Sequence, residues 1–339
     1  MIARLYPHLP VPLAGAAGGF LASLAGWPLP WMVGSLLAVI ALRCLSPRPF
    51  AELPGGRRVG QWLVACGIGL HFTREVFEQV LSHSALVLIG ACLPLLLSLF
   101  GIVLLRRAGL DRPTAFFASM PGGASEMVNL GALHQANAAQ VAAAHSLRLL
   151  LVVLLVPALF TWTLPPVPAN AAPAADWLQL GPLMLAGALL ALLWGRFKQP
   201  NPWMLGPLTA CALASATFDL QLALPSGLGK MGQWLIGCAL GCHFDRGFFA
   251  RAARLLSRVV VSTLLAMLGA LAVGAALASI WQQDIRSVML GLMPGGIAEL
   301  SLTAEALHLS VALVTALQVL RLFLVMFLAQ PLYRLWSRF

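Results

Sequence analysis

Two short segments carry the residues that could do chemistry. Met120-Pro121-Gly122-Gly123-Ala124-Ser125-Glu126 and Met293-Pro294-Gly295-Gly296-Ile297-Ala298-Glu299 each place a carboxylate three residues after the second glycine. In an apolar setting, Glu126 and Glu299 could relay protons, hold a cation or touch a substrate. The plainer role is that of a first-turn Glu stabilising its own helix N-terminus. Ser125 and Asn129 add polar groups near the first glutamate, and Glu305 near the second. Asn129 and Glu305 have apolar counterparts, Leu302 and Ala132, so they would make two related half-sites unequal. Arg148 and Arg321 also correspond, at an offset of 173, with His145 and Gln318 one turn earlier on the same helix face. The arginines could bind an anion or pair with the glutamates; the plainer roles are a structural ion pair or snorkelling to a boundary. Gln61, His71, Gln233 and His243 bracket two short apolar segments. They offer a hydrogen-bond or proton path, or simply interfacial side chains.

No nucleophile–base pair and no metal-ligand set occurs at workable spacing, so neither enzyme chemistry, a metal nor a cofactor is expected. The six cysteines form no zinc-type pair of pairs and are read as packing residues.

These residues must be positioned by elements that are overwhelmingly apolar. Of 339 residues, 60% are hydrophobic and 9% charged, against about 25% charged in a soluble globular domain. That excludes a soluble enzyme, a disordered chain and a disulfide scaffold. The apolar runs are long rather than alternating, which argues against a β-barrel. The sequence therefore predicts an all-α polytopic membrane protein. Its net charge of +10 is explained by basic residues in the short connections between apolar runs, not by a nucleic-acid surface. Direct nucleic-acid binding is not expected.

The chain is internally duplicated. Pro30-Trp31-Met32-Val33-Gly34 matches Pro202-Trp203-Met204-Leu205-Gly206. Gly60-Gln61-Trp62-Leu63 matches Gly232-Gln233-Trp234-Leu235. The two Pro-Gly-Gly segments match likewise, all at an offset of 172 or 173. This gives a first membrane repeat over 1–165, a periplasmic linker over 166–176 and a second membrane repeat over 177–339. Five apolar spans are predicted in each, near 10–26, 28–45, 59–72, 84–105 and 138–161, then near 178–195, 203–218, 231–244, 259–281 and 308–330. The Pro-Gly-Gly segments, 113–135 and 286–306, lie outside this set.

Basic residues decide whether those segments cross. If each enters and returns, an odd number of crossings inverts the second repeat, and sixteen Lys or Arg lie on one side against three on the other. Full crossing would give twelve against seven. The positive-inside rule favours the first arrangement: ten spans plus two re-entrant Pro-Gly-Gly hairpins, in inverted repeats, both termini cytoplasmic. Backbone broken in this way is tolerated at membrane depth only inside protein or beside a wet cavity. Inverted repeats with broken segments characterise secondary transporters. The glycines are expected for their turn-forming freedom. The two short segments, 59–72 and 231–244, are expected to pack beside the hairpins.

The duplicated Gly-Gln-Trp segment and the Met-Pro-Gly-Gly-Ala-Ser-Glu and Met-Pro-Gly-Gly-Ile-Ala-Glu segments resemble the bacterial AbrB membrane-protein family over essentially the whole chain. That family carries a duplicated membrane domain and has been labelled both an ammonia monooxygenase and a transcriptional regulator. The resemblance implies an effect on gene expression. The residues themselves include no helix-turn-helix and no copper-type ligand cluster.

Two functions remain open at this stage. One is a proton- or sodium-coupled transporter of a small solute, an anion among the candidates. The other is a membrane-embedded ligand sensor acting through a partner. The lipid bilayer and a small molecule or ion are the expected partners, and assembly with further copies of the chain is compatible with either.

Overall fold

A computed structural model describes residues 8–46, 50–163, 175–251 and 253–337. Most of the linker over 166–176 lies outside these residues, as do Arg4, Arg48 and Arg338 of the basic set. Among the described residues there are sixteen helices and no strand. The first half holds α1 (Pro10–Leu24), α2 (Pro30–Leu45), α3 (Gly56–Leu70), α4 (Arg74–Ser82), α5 (Ser84–Arg107), α6 (Arg112–Ser119), α7 (Ala124–Ala132) and α8 (Ala138–Thr163). The second half repeats the order: α9 (Trp177–Arg196), α10 (Pro202–Phe218), α11 (Ser226–Gly241), α12 (Arg246–Arg251), α13 (Ala253–Trp281), α14 (Ile285–Leu292), α15 (Ile297–Ala306) and α16 (Val311–Trp336).

All ten predicted spans are helices. Five of them, α5, α8, α9, α13 and α16, are long and apolar enough to cross a membrane. The others, α1, α2, α3, α10 and α11, have 15 to 17 residues, short of the roughly 20 that a bilayer core requires. Local chemistry explains several boundaries. Proline occupies the first turn of α2 and α10, where its missing N–H costs nothing. Leu29 and Asn201, the residues preceding those prolines, both adopt left-handed backbone. Asp111 caps α6 by accepting from Thr114 N, and Asp284 caps α14 by accepting from Ser287 N.

The helices divide into two compact units, each drawn from both halves of the sequence. Unit 1 comprises Met1–Gln79, Thr161–Gly247 and Ala306–His308; unit 2 comprises Val80–Phe160, Phe248–Glu305 and Leu309–Phe339.

In unit 1, α1, α2 and α3 pack with α9, α10 and α11, and the contacts are reciprocal. Trp62 Nε1 of α3 donates to Met184 O of α9 at 3.0 Å, and Trp234 Nε1 of α11 donates to Pro12 O of α1 at 3.1 Å. Each third helix thus packs on the other half's first helix, at positions separated by the repeat offset. At the crossing of α3 and α11, a Cβ on Gly60 would lie 3.0 Å from Gly232 O, and one on Gly232 would lie 3.2 Å from Gly60 O. Only glycine permits this backbone approach. The neighbours of α3 and α11 found here belong to unit 1, whereas both Pro-Gly-Gly breaks belong to unit 2. Besides the Gly60–Gly232 contact, Gly69 of α3 faces Cys211 and Leu208 of α10, and Gly237 and Gly241 of α11 face Met32 and Val39 of α2.

In unit 2, α5 packs against α6, α13, α14 and α16. An identical clip recurs in each half. Thr114 Oγ1 of α6 accepts from Asn137 N, just before α8, at 2.7 Å; Ser287 Oγ of α14 accepts from Ser310 N, just before α16, at 3.0 Å. Each clip ties the start of the helix preceding a break to the start of the long helix that follows it.

Candidate functional site

The breaks are built as their sequences require. α6 ends at Ser119, Met120-Pro121-Gly122-Gly123 is irregular, and α7 starts at Ala124. α14 ends at Leu292, Met293-Pro294-Gly295-Gly296 is irregular, and α15 starts at Ile297. A helix that stops leaves its last carbonyls without intrahelical partners. Inside an apolar protein each such orphan is costly.

The two arginines satisfy these carbonyls. Arg148 Nη2 donates to Ala118 O at 2.8 Å, and Nη1 to Ser119 O and Met120 O, both at 3.2 Å. His145, one turn earlier, bonds Phe117 O at 3.0 Å and Arg148 Nη2 at 3.2 Å. The tautomer that satisfies both bonds carries its proton on Nε2 and accepts from the arginine at Nδ1. In the second half, Arg321 donates to Met293 O at 2.9 Å and to Gly295 O at 2.5 Å. Gln318 Nε2 donates to Gly291 O at 2.6 Å and Met293 O at 3.2 Å. A long helix therefore supplies a guanidinium and a second polar group to cap the interrupted helix of its own half. It also supports the other half's break. A Cβ on Gly122 would meet Val325 Cγ1 of α16 at 2.9 Å, and one on Gly295 would meet Val152 Cγ1 of α8 at 2.8 Å.

The glutamates do something different. Glu126 and Glu299 are half-buried. Each folds back over its glycine: an added Cβ on Gly123 would lie 2.0 Å from Glu126 Oε2, and one on Gly296 would lie 2.1 Å from Glu299 Oε2. Gly123 itself has φ −66° and ψ 142°, backbone that any residue adopts. The expectation that this glycine serves for its turn-forming freedom is thereby corrected; its missing side chain leaves room for the carboxylate.

Pro121, Pro294 and Arg148 line one cavity of about 30 Å³ within unit 2. Pro94, Leu97, Ser98, Gly101 and Leu105 of α5 form one wall, with Ala118 and Ser119 at the end of α6. Val259, Ser262, Thr263 and Ala266 of α13 form another. The two breaks, 173 residues apart in sequence, thus meet at a single void. The hydroxyls of Ser98, Ser119, Ser262 and Thr263 were not anticipated. Isolated hydroxyl residues in otherwise apolar helices were the available signal, but such residues also bond their own helix, as Ser98 does to Leu95 O and Ser262 to Val259 O.

The remaining predicted residues lie elsewhere. Ser125 and Asn129 are exposed on α7, and Glu305 on α15. Gln61 donates to Asn201 Oδ1 at 3.0 Å inside unit 1. His71 ends α3 and bonds Gly67 O. Gln233 is half-buried in α11 and His243 exposed just after it. None of these lines the cavity.

Apolar helices long enough to cross a bilayer, with irregular backbone enclosed between them, define an all-helical protein of the membrane-embedded class. Its sequence matches the profile described as "Transition state regulatory protein AbrB" over residues 31–337, and the chain belongs to the AbrB family. It is 28% identical to "Uncharacterized protein YhjN" of Bacillus subtilis (strain 168), across 94% of this chain and 90% of the relative. It is also 28% identical to "Putative regulator AbrB" of Escherichia coli (strain K12), across 82% of each.

Proposed function

We propose that the protein is a secondary transporter of the bacterial inner membrane, moving a small solute through a site at the two Pro-Gly-Gly breaks and driven by a proton or sodium gradient. In this reading the ten spans and two re-entrant segments form inverted repeats with both termini cytoplasmic, and neither enzymatic turnover nor a cofactor is involved. The observation that carries it is the meeting of two interrupted helix pairs, one per half, at a common cavity. Interrupted helices beside a cavity are how membrane transporters expose backbone and charge to a solute.

The carboxylates Glu126 and Glu299, each in the first turn beyond a break, are the proposed coupling groups. Glu126→Gln and Glu299→Gln keep shape and hydrogen bonding while removing charge. Each is expected to insert and fold normally yet lose gradient-driven solute uptake in proteoliposomes. Wild-type uptake and wild-type gradient dependence in both variants would remove the coupling role. Single cysteines at Asn170 and Gln282, in a cysteine-free background, should label from outside intact cells while one at Arg254 should not; labelling at 254 with protection at 170 would restore a twelve-span arrangement.

A second reading takes its support from the name of the Escherichia coli relative. There the same cavity senses a ligand, and a partner protein carries the signal to gene expression. Ligand-induced stabilisation without flux would favour it.

A further inference from the structure

We infer that the cavity in unit 2 binds a small monovalent anion, a one- or two-carbon carboxylate or an oxyanion of nitrate size, with Arg148 as its counter-charge. The inference rests on the transport reading for its physiological meaning, and on the cavity alone for its chemistry.

Charge is the first argument. Among the lining residues Arg148 is the charged one, and no Asp or Glu shares the wall with it. A guanidinium has five N–H donors. Four of those of Arg148 go to three carbonyls and one imidazole. These partners are dipoles: they solvate the cation without neutralising it. A positive charge held in low dielectric without an opposite charge is costly, and an anion in the adjoining void would supply that charge.

Donors are the second argument. Ser98, Ser119, Ser262 and Thr263, four hydroxyl-bearing residues, are among those that line the cavity. Ser98, Ser119 and Ser262 donate to carbonyls of their own helices, Leu95 O, Ala115 O and Val259 O. A hydroxyl rotates readily, so these donors can turn from a helix carbonyl to a bound oxyanion. Hydroxyl oxygens also suit sodium, but a guanidinium in the wall repels a cation at that range.

Size and asymmetry complete the case. A void of about 30 Å³ accommodates a species of a few heavy atoms. The second arginine does not line the void: Arg321 is 5% exposed, and its guanidinium bonds Met293 O and Gly295 O. One accessible positive charge matches one negative charge on the ligand.

The test uses the full-length protein purified in detergent. Its thermal midpoint is followed during titration with sodium formate, acetate or nitrate, at ionic strength held constant with sodium gluconate. A ligand that binds the folded state raises the midpoint with concentration. A saturable rise with at least one small anion is expected. Ala266→Leu fills the cavity without touching the carbonyl cap and should weaken apparent affinity at least tenfold. Thr263→Val keeps volume but loses a donor and should weaken it severalfold; it serves also if Ala266→Leu folds poorly. A flat midpoint with all three anions overturns the inference, as does an undiminished shift in both variants or a shift that follows the cation. Proteoliposome flux separates this from the transport reading. Anion binding without flux would overturn transport and leave the anion site standing. Flux of a neutral or cationic solute, blocked by Ala266→Leu and accompanied by no anion stabilisation, would overturn the anion class and leave transport standing.

Discussion

The break after α6 and the break after α14 have nearly the same sequence and quite different surroundings. In the second half the segment is more fully enclosed: Pro294, Gly295, Ile297, Ala298 and the run from Leu300 to Ala304 are buried, with Gly296 and Glu299 half-buried. Ser301 and Thr315 close it further with a 2.7 Å hydroxyl pair. In the first half only Met127 and Gly131 of α7 are buried, and Ser125 and Asn129 are exposed. Arg321 is 5% exposed, whereas Arg148 is half-buried and borders the cavity. Gln318 Oε1 and Arg321 Nε are also buried without a hydrogen-bond partner among the described residues. Duplication has thus kept the device, an arginine capping a broken helix, and divided its uses. One copy is a fixed structural clamp; the other keeps its charge within reach of a ligand.

The sharpest way to break this comparison is to remove each arginine. Arg321→Gln leaves Gly295 O orphaned in an enclosed site, while Met293 O keeps Gln318 and the Gly295 amide, and should cost about 3 kcal/mol. Arg148→Gln releases three carbonyls beside a cavity that water can enter, and should cost about 1–2 kcal/mol. Denaturant unfolding in detergent measures both, and a larger loss at Arg148 would overturn the division into clamp and site.

Crowding offers the next test. Gly295→Ala sets a Cβ against Val152 and Leu300, both branched and buried in or near packed helices, at 2.8 and 2.9 Å. A loss of about 1–2 kcal/mol is expected from overpacking. Gly122→Ala meets Val325 Cγ1 and Met127 Cε, both at 2.9 Å; the buried valine resists as Val152 does, but the flexible methionine can yield. Its loss should be about 1 kcal/mol, at or below that of Gly295→Ala. Equal losses would show that the first break is as tightly held as the second.

The clip, by contrast, is the same in both halves and should respond alike. Thr114→Val and Ser287→Ala each orphan a backbone amide, of Asn137 and of Ser310, at a cost of about 1 kcal/mol. Unequal costs in thermal midpoint would show that the asymmetry extends beyond the breaks.

The smallest effect is expected at Gly123. With φ −66°, alanine fits the backbone and also restricts the unfolded chain, which offsets the cost of displacing the Glu126 carboxylate. Gly123→Ala should change stability by less than about 0.5 kcal/mol while altering any activity that depends on where Glu126 sits. A collapse of folding would restore a conformational role for this glycine.

Much was determined by the sequence alone. Composition required a helical membrane-type protein, because no solvent-facing surface could absorb so much apolar area. Matching motifs at a constant offset required a duplication, and eight helices recur in the same order in each half. Proline and glycine marked both breaks, because they act on the local backbone. Arg148 and Arg321 could be singled out as corresponding charges, but their partners could not be named. A guanidinium suits a carboxylate as well as a carbonyl, and the choice depends on which backbone ends lie nearby. Only the tertiary structure decided that they cap broken helices, that Pro121 and Pro294 border one void, and that hydroxyls from α5 and α13 complete it. It also decided the grouping of helices: each compact unit draws on both halves, and in unit 1 α3 buries its glycines against α10 and α11, and α11 buries its own against α2 and α3. The same motif became a clamp in one half and a candidate site in the other because burial belongs to the neighbours that fold around a segment, and a motif carries no record of them.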